Sequence, residues 1–510
     1  MNTLSIEDPG NAVNNEVILF SEPMTDPHII WEAKLKELEN FKKNNVFEEV
    51  VDNGEKCISV RWVFTDKYID GKHSVKARLV ARGFEETELM QTDSPTCSKE
   101  SIRLMTSILV SKGWESNGID VKAAFLQGKA IDRDVYIKPP PEFEKHNTLW
   151  KLNVCIYGLN DASRTWYLKV CEELLALGVT QCKNEPAMFY WHHEELLHGM
   201  ICIHVDDLYW GGSKIFKTKI IEGFKHKFDI SKESSHSFKY LGLEIKWFAD
   251  YVIIDQKSYV DALKPIQLCK ERMTQKHLSL NSDELSNLRS MIGQLSWVGT
   301  QTRPDILFEC SELASSLKSA SVEHLLRANK VLKKLKDHPV LIKIPKLVNL
   351  EDCRFICYHD ASYANLKDGG SQGSYIILMT DEINKLMAPI AWQSKRIKRV
   401  VKSTLAAETL SLVEAADASF WLQSVLNEIL GTNKFNIECR SDSQSLCNAI
   451  RSSTALSEKR LTVDIAILRE MLSKGEISEV IWVPASAQTA DKRGASSEKL
   501  LAVLMNNELM

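Results

Sequence analysis

Apolar and polar positions alternate along much of this chain, and the alternation is broken by stretches whose apolar residues recur three and four apart, so strands and helices separate by period alone. The first strong signal is helical. In IIWEAKLKELENFKKNN the apolar Ile30, Trp31, Leu35, Leu38 and Phe41 fall on one side of a helix, and the polar residues 1–27, with Pro9, Pro23 and Pro27, read as a tether before it. The next segment, CISVRWVFTDKYIDGKHSVKARLVARGF, runs in period two around Asp70-Gly71, which predicts a β-hairpin. Residues 100–114 predict a helix and a strand-like run ends near Asp120. HGMICIHVDDLYWGGS predicts two apolar strands flanking Asp206 and Asp207, and FKYLGLEIKWFADYVIIDQ alternates again. Residues 283–337 read as almost wholly helical, and HPVLIKIPKLVNLEDC, with two prolines, returns to strand patterning and marks a boundary near 340–352. From residue 353 onward the predicted order is strand, strand, strand, helix, strand, helix, helix, strand, helix, an α/β unit.

Composition narrows the class without naming it. With 510 residues, 44% of them hydrophobic, the chain is too long for one core and too apolar for a disordered or collagen-like protein. No apolar run approaches a bilayer span, and MNTLSIEDPGNAV has neither the basic nor the apolar region of a secretory signal, so an intracellular protein without a membrane partner is expected. Lys and Arg total 64 against 68 Asp and Glu, a net charge of −4, which argues against a uniformly basic nucleic-acid-binding domain. The cations are nevertheless unevenly spread. Arg61, Lys67, Lys72, Lys76, Arg78 and Arg82 gather in the hairpin, and Lys395, Arg396, Lys398, Arg399 and Lys402 form a second group. Phosphate affinity follows such local patches rather than the sum. The 12 cysteines are scattered without a C-x-x-C pair and read as reduced, buried apolar residues. His192, His193 and His198, in WHHEELLHG, read as a polar hairpin loop rather than as ligands.

The acids carry the chemistry. Asp206 and Asp207 sit between two strands, and Asp120 ends a third strand-like run. If these strands are neighbours, the three carboxylates converge and would suit Mg²⁺, which prefers hard oxygen ligands. In the C-terminal unit Asp360 ends the strand RFICYHD, Glu408 lies in the first turns of the helix beginning at STLAAET, Asp442 ends FNIECRSD, and Asp491 opens the last helix. Acids at the ends of different elements can meet at one point.

These motifs are also recognisable as a set. KARLVARGF (76–84), DVKAAFLQG (120–128), YGLNDASRTW (157–166) and HVDD (204–207) resemble the reverse transcriptase of copia-type LTR retrotransposons. YLGLEI (240–245) and IGQLSWVGTQTRPDI (292–306) resemble the segment that follows it, and AWQSKR, STLAAET, SDSQSL and QTADK are similar to the family's RNase H. The resemblance implies an α/β and α+β multidomain protein. A right-hand polymerase, with fingers and palm over 28–270 and a helical thumb or connection over 271–350, would be followed by an RNase H-like α/β domain over 351–510. It implies Asp120, Asp206 and Asp207 as catalytic metal ligands of the palm. Phe125 would be the ring that crowds a ribose 2′-hydroxyl, and Lys76 and Arg78 the cations that meet the incoming triphosphate. Asp360, Glu408, Asp442 and Asp491 would hold the metals that cut the RNA strand of a hybrid. The implied cofactor is Mg²⁺, two per active site, with Mn²⁺ as a substitute. The implied partners are an RNA template, a DNA primer, the RNA/DNA hybrid and dNTPs, and a homodimer is left open by the sequence. The implied setting is cytoplasmic particles, the nucleus, or both.

Three departures stand out. His204 replaces the family's usual Tyr before Val-Asp-Asp, Asn160, Asp161 and Ser163 depart from its basic-amide-Ala-Pro-Arg run, and Thr462 stands where it carries a histidine. No zinc knuckle, Asp-Ser/Thr-Gly protease signature or zinc-binding integrase head is present, so the chain reads as the C-terminal part of a polyprotein. A decayed or domesticated element that binds nucleic acid without polymerising is the alternative that the motifs leave open.

Overall fold

The computed structural model describes residues 26–69, 72–381, 385–433, 435–452, 458–490 and 495–507. Most of the expected tether, the Asp70-Gly71 turn and Asp491 lie outside them. The first helix, α1 (Pro27–Lys43), begins at Asp26, whose side chain accepts the His28 N–H, has proline in its first turn and ends on Lys42 and Lys43. Each of these satisfies or complements the open end of a helix. It lies against a long antiparallel hairpin, β1 (Val60–Ile69) and β2 (Lys72–Ala81). Trp62 pairs with Leu79 and Phe64 with Ala77 on the face toward α1, where the Lys34 ammonium sits 5.4 and 5.8 Å from the Trp62 and Phe64 ring centres. Arg78 pairs with Val63 and Lys76 with Thr65, so strand alternation turns both cations to the other face.

The central sheet is built from β3 (Ser116–Val121), β4 (Met188–His193), β5 (Leu196–His204), β6 (Asp207–Gly212) and β7 (Ile230–Ser235), in the order β7-β3-β6-β5-β4 with Thr180–Gln181 at the edge. Its two faces go to different helices. Ile119, Val121, Ile201, Ile203, Leu208 and Trp210 pack on α3 (Ala162–Ala176) through Trp166, Val170 and Leu174. Met200, Cys202 and Tyr209, one residue out of phase, pack on α2 (Lys99–Ser111). A sheet covered on both faces explains why ICIHV and LYWGG read as continuous apolar runs.

The next sheet, β8 (Ser237–Tyr240), β9 (Leu243–Trp247) and β10 (Tyr251–Asp255), is completed by β11 (Ile342–Pro345), with Ile254 opposite Ile342. The strand expected at the 340–352 boundary therefore returns to the sheet that precedes the helices α4 (Ser282–Gln301), α5 (Leu307–Ser315) and α6 (Val322–Asp337). Asn281 and Glu284 form a reciprocal capping box at the start of α4, and the buried Arg303 and Asp305 hold the α4–α5 corner with bonds of 2.8 and 2.9 Å.

The C-terminal unit follows the order expected from the sequence: β12 (Cys353–Ser362), β13 (Gln372–Asp381), β14 (Met387–Arg396), α7 (Thr404–Leu430), β15 (Ile437–Ser441), α8 (Gln444–Arg451), α9 (Lys459–Lys474), β16 (Glu479–Trp482) and α10 (Ala495–Asn506). The strands order as β14-β13-β12-β15-β16, antiparallel on one side of β12 and parallel on the other. This unit shares one apolar cluster with α2, running from Cys97 to Leu504. At its centre the fully buried Arg103 guanidinium lies 3.8 Å from the Trp392 ring centre and donates to the carbonyls of Ile390 at 2.7 Å and Gln301 at 3.1 Å. Burial draws its pKa down to about 10, so it stays charged and is held by carbonyls and a ring face.

Two expectations are corrected. His192 and His193 belong to β4 and His198 to β5, not to a loop. Glu194 and Glu195 both take positive φ, 51° and 63°, and close the hairpin in two residues, so His193 and His192 already pair with Leu196 and Leu197, and His198 sits at the register shift that follows. Asp360 does not end its strand, because β12 continues to Ser362 in register with Gln372. Of the cysteines, all 12 are free thiols and all but Cys57 and Cys269 are buried.

Candidate active sites

The first site is assembled by strand register. On β3 and β6, Asp120 and Asp207 are direct antiparallel partners, and Val205-Asp206 forms the turn that joins His204 on β5 to Asp207 on β6. The Val121 N–H donates to the Asp206 carbonyl at 3.0 Å, which ties the turn to the strand bearing Asp120. Asp120 is also held by Ser231, whose hydroxyl donates to its carboxylate and, at 3.0 Å, to its carbonyl. Burial and the neighbouring carboxylates Asp206 and Asp120 push the Asp207 carboxyl up to about 7. Burial also raises Asp206, opposed by its own backbone hydrogen bond and by Arg78 and Lys76. Converging, partly desolvated carboxylates whose charged forms disfavour one another are a donor set that a divalent cation would stabilise, so the residues fit the implied metal.

Lys76 and Arg78 therefore stand within electrostatic reach of Asp206, as the motif positions imply. Phe125, in the single 3₁₀ turn Ala124–Gln127 after β3, meets Tyr157 edge-on at 5.1 Å, and the Arg78 guanidinium lies 5.4 Å from the centre of the same Tyr157 ring. Tyr157 thus joins the steric and cationic candidates into one wall, a role that sequence reasoning missed although it heads the quoted YGLNDASRTW. Burial pushes its phenol up to about 12. The loop carrying it is fixed by contact. Gly158, at φ +90°, runs so close to β2 that a Cβ would stand 2.1 Å from the Ala81 carbonyl oxygen, and Ala81 donates to the Tyr157 carbonyl at 2.7 Å. The departures from the family run knit the same loop together. Asn160 donates to the Gly83 carbonyl at 3.0 Å, its N–H donates to Glu86 at 2.8 Å, and Asp161 pairs with Arg133 at 2.8 Å. Glu37 on α1, 4% exposed, is also within electrostatic reach of Lys76 and Arg78. Burial raises its pKa, while an Asn40 hydrogen bond and the two cations oppose the rise. An acid on an amphipathic helix reads as surface, and so gives no signal in the sequence.

The second site is deeper. The carboxylate oxygens of Asp360, Glu408 and Asp442 lie within 4.8 Å of one another. Asp360 projects from β12, Glu408 from the second turn of α7, whose start is capped by Ser403, and Asp442 directly follows β15. Backbone donors and hydroxyls do the positioning. Ala361 N–H donates to Glu408 at 3.3 Å, the Ser411 and Ser374 hydroxyls donate to the Asp360 carbonyl at 2.9 and 3.3 Å, and the Trp482 indole donates to the Asp442 carbonyl at 3.0 Å. His359 Nδ1 is 3.7 Å from Glu408, but full burial drives its pKa down to about 3, so it is neutral and does not offset the acids. Three convergent hard-oxygen donors with this geometry fit a divalent cation. The expected fourth member, Asp491, lies outside the described residues. Thr462 is exposed on α9, where its hydroxyl donates to the Glu458 carbonyl at 3.4 Å. In the second basic group, Lys395, Arg396 and Arg399 are paired with Glu414, Asp368 and Asp464.

An acidic turn in the middle of an α/β sheet, faced by a basic hairpin and followed by an α/β unit with its own acid cluster, has the architecture of a reverse transcriptase with an RNase H-like domain. Residues 44–276 match the family described as Reverse transcriptase (RNA-dependent DNA polymerase). Over 85% of its length the chain is 28% identical to the retrovirus-related Pol polyprotein from transposon RE1 of Arabidopsis thaliana, of which it covers 30%. Over 91% it is 26% identical to that from transposon TNT 1-94 of Nicotiana tabacum, of which it covers 36%. The chain thus spans about a third of the length of these curated relatives. The foamy viral protease-reverse transcriptase shares the fold. Its structure in complex with double-stranded DNA has a TM-score of 0.50 at 12% identity over 94% of this chain and 74% of that one, and its structure with an RNA/DNA hybrid gives 0.50 at 13% over 93% and 56%. The resemblance to copia-type retrotransposon Pol polyproteins read from the motifs is borne out. Among the described residues no helix is long and apolar enough to cross a membrane.

Proposed function

We propose that the chain is an RNA-directed DNA polymerase of a copia-type retrotransposon, extending a DNA primer on an RNA template with dNTPs, and that its C-terminal unit cleaves the RNA strand of the resulting hybrid. The observation that carries the polymerase reading is the register of Asp120 against Asp207 beside the Val205-Asp206 turn, with Lys76 and Arg78 opposite. Asp120, Asp206 and Asp207 would hold two Mg²⁺ ions, which when bound activate a primer 3′-hydroxyl and stabilise the departing pyrophosphate. The protein's own contribution is positional and electrostatic. Lys76 and Arg78 would neutralise the triphosphate, and Tyr157 keeps Arg78 and Phe125 in one wall, so that triphosphate and sugar are read together. The Phe125 ring would lie where a 2′-hydroxyl collides with it, selecting deoxynucleotides.

For the second reaction, Asp360, Glu408 and Asp442, with Asp491 as the expected fourth ligand, would hold the cations at the scissile phosphodiester. The hydroxyls of Ser374 and Ser411 and the Trp482 indole fix the backbone from which two of these acids project.

The test is primer extension on an RNA template by the purified chain with Mg²⁺ or Mn²⁺, run beside a hybrid-cleavage assay. Extension that is lost in Asp206→Asn supports the polymerase reading. A wild-type chain that binds primer–template but stays inert with either metal supports the non-polymerising alternative. Hybrid cleavage that survives Asp442→Asn overturns the second assignment.

A further inference from the structure

We propose that Trp166 is a positioning residue for the acidic turn of the polymerase site, an inference that rests on the reading of Asp206 and Asp207 as divalent-cation ligands. The turn is conformationally demanding. Val205 has φ +53°, a left-handed backbone that a β-branched residue adopts only when its surroundings impose it. Two hydrogen bonds bracket that peptide. Val121 N–H donates to the Asp206 carbonyl at 3.0 Å, and the Trp166 indole N–H donates to the Val205 carbonyl at 2.6 Å. The second comes from α3, 39 residues away in sequence.

The indole is itself well fixed. Trp166 is fully buried, meets Phe228 edge-on at 5.1 Å, and sits in the cluster with Val121, Ile203 and Leu208, which flank the acids along β3, β5 and β6. Tryptophan has a single side-chain donor, and here that donor is given to the carbonyl one residue before Asp206. Without it the Val205-Asp206 peptide is free to relax toward negative φ, and both following carboxylates turn with it. Because α3 follows directly on the loop that carries Tyr157, Gly158 and Asp161, the same helix sets the nucleotide wall and the acidic turn relative to each other.

The experiment uses the full chain carrying Asp442→Asn, so that the second acid cluster is silenced, with Mn²⁺ affinity read by electron paramagnetic resonance of the free ion alongside primer-extension kinetics. Trp166→Phe keeps an aromatic ring in the cluster and removes only the donor. It is expected to weaken Mn²⁺ binding on the order of 10-fold and to lower kcat on the order of 10- to 100-fold, with the dNTP KM within about twofold of the parent, because the loss is one of geometry. Parental Mn²⁺ affinity and kcat in a folded Trp166→Phe protein overturn the proposal. Should that variant melt early, Val205→Gly is added to it, since glycine adopts the positive φ without being held. Recovery of Mn²⁺ binding in the double variant supports the proposal, and binding that stays as weak as in Trp166→Phe overturns it. Asp206→Asn separates the two levels. If it leaves Mn²⁺ binding intact, the metal-ligand reading itself fails. If it abolishes binding while Trp166→Phe does not alter it, only the positioning role fails.

Discussion

The two acid clusters each gather three carboxylates, by different routes. In the first, Asp120, Asp206 and Asp207 are brought together by strand pairing and a strained turn, and the cations that offset them, Lys76 and Arg78, arrive from a separate hairpin. In the second, Asp360, Glu408 and Asp442 are set by a strand, a helix and a strand end, and the imidazole beside them is neutral. The first site thus takes its counter-charges from a separate element, whereas the acids of the second are positioned by backbone and hydroxyl hydrogen bonds from within their own unit.

The largest test of this contrast is reciprocal. Asp206→Asn should lower primer extension roughly 10³-fold or more while leaving hybrid cleavage within about twofold, and Asp442→Asn should do the reverse. Both rates are read on the same preparation, and a substitution that drops both would break the separation of the sites. Next in size, Phe125→Val should reduce discrimination against ribonucleotides on the order of 10- to 100-fold in single-nucleotide incorporation. Unchanged sugar selection would remove Phe125 from the wall. Gly158→Ala places a Cβ 2.1 Å from the Ala81 oxygen at φ +90°, and should destabilise the fold by about 1–3 kcal/mol in denaturant titration while raising the dNTP KM.

The smallest effect is a pH slope. The Asp207 carboxyl is raised to about 7 in the folded chain, so its proton is bound more tightly folded than unfolded. Its contribution to the stability of the metal-free protein is complete below the ordinary carboxylate range and is lost as pH rises through about 7. Thermal melts without metal should fall across that window, and Asp207→Asn should flatten the fall. An unchanged slope in that variant would assign it to another group.

Much of this arrangement is legible in the sequence, for a definite reason. Continuous apolar runs bounded by acids mark β5 and β6, so Asp206 and Asp207 could be placed between two strands and Asp120 at the end of a third, and the helix–strand order after residue 353 follows from period alone. What period does not carry is the link between distant elements. Trp166 looks like any apolar helix residue until its indole is seen to reach Val205, and Tyr157 looks like a core aromatic until it is found between Arg78 and Phe125. Ser411 and Trp482 hold backbone carbonyls, and no residue type marks such a partner in advance. The histidines of WHHEELLHG were misread because two consecutive left-handed glutamates, which are rare, shorten the hairpin to its minimum. Asn160 and Asp161, departures from the family run, serve as local fasteners to Gly83, Glu86 and Arg133.

Arg103 has a consequence for how the chain is made. On α2 its nearest acid is Glu100 at 3.8 Å, but the carbonyls of Gln301 and Ile390 that accept its hydrogen bonds lie 198 and 287 residues downstream. Those bonds can form only after both downstream segments have been synthesised, and until then Glu100 and water are the partners of the guanidinium. One cation thereby ties the burial of α2 to a strand of the C-terminal unit.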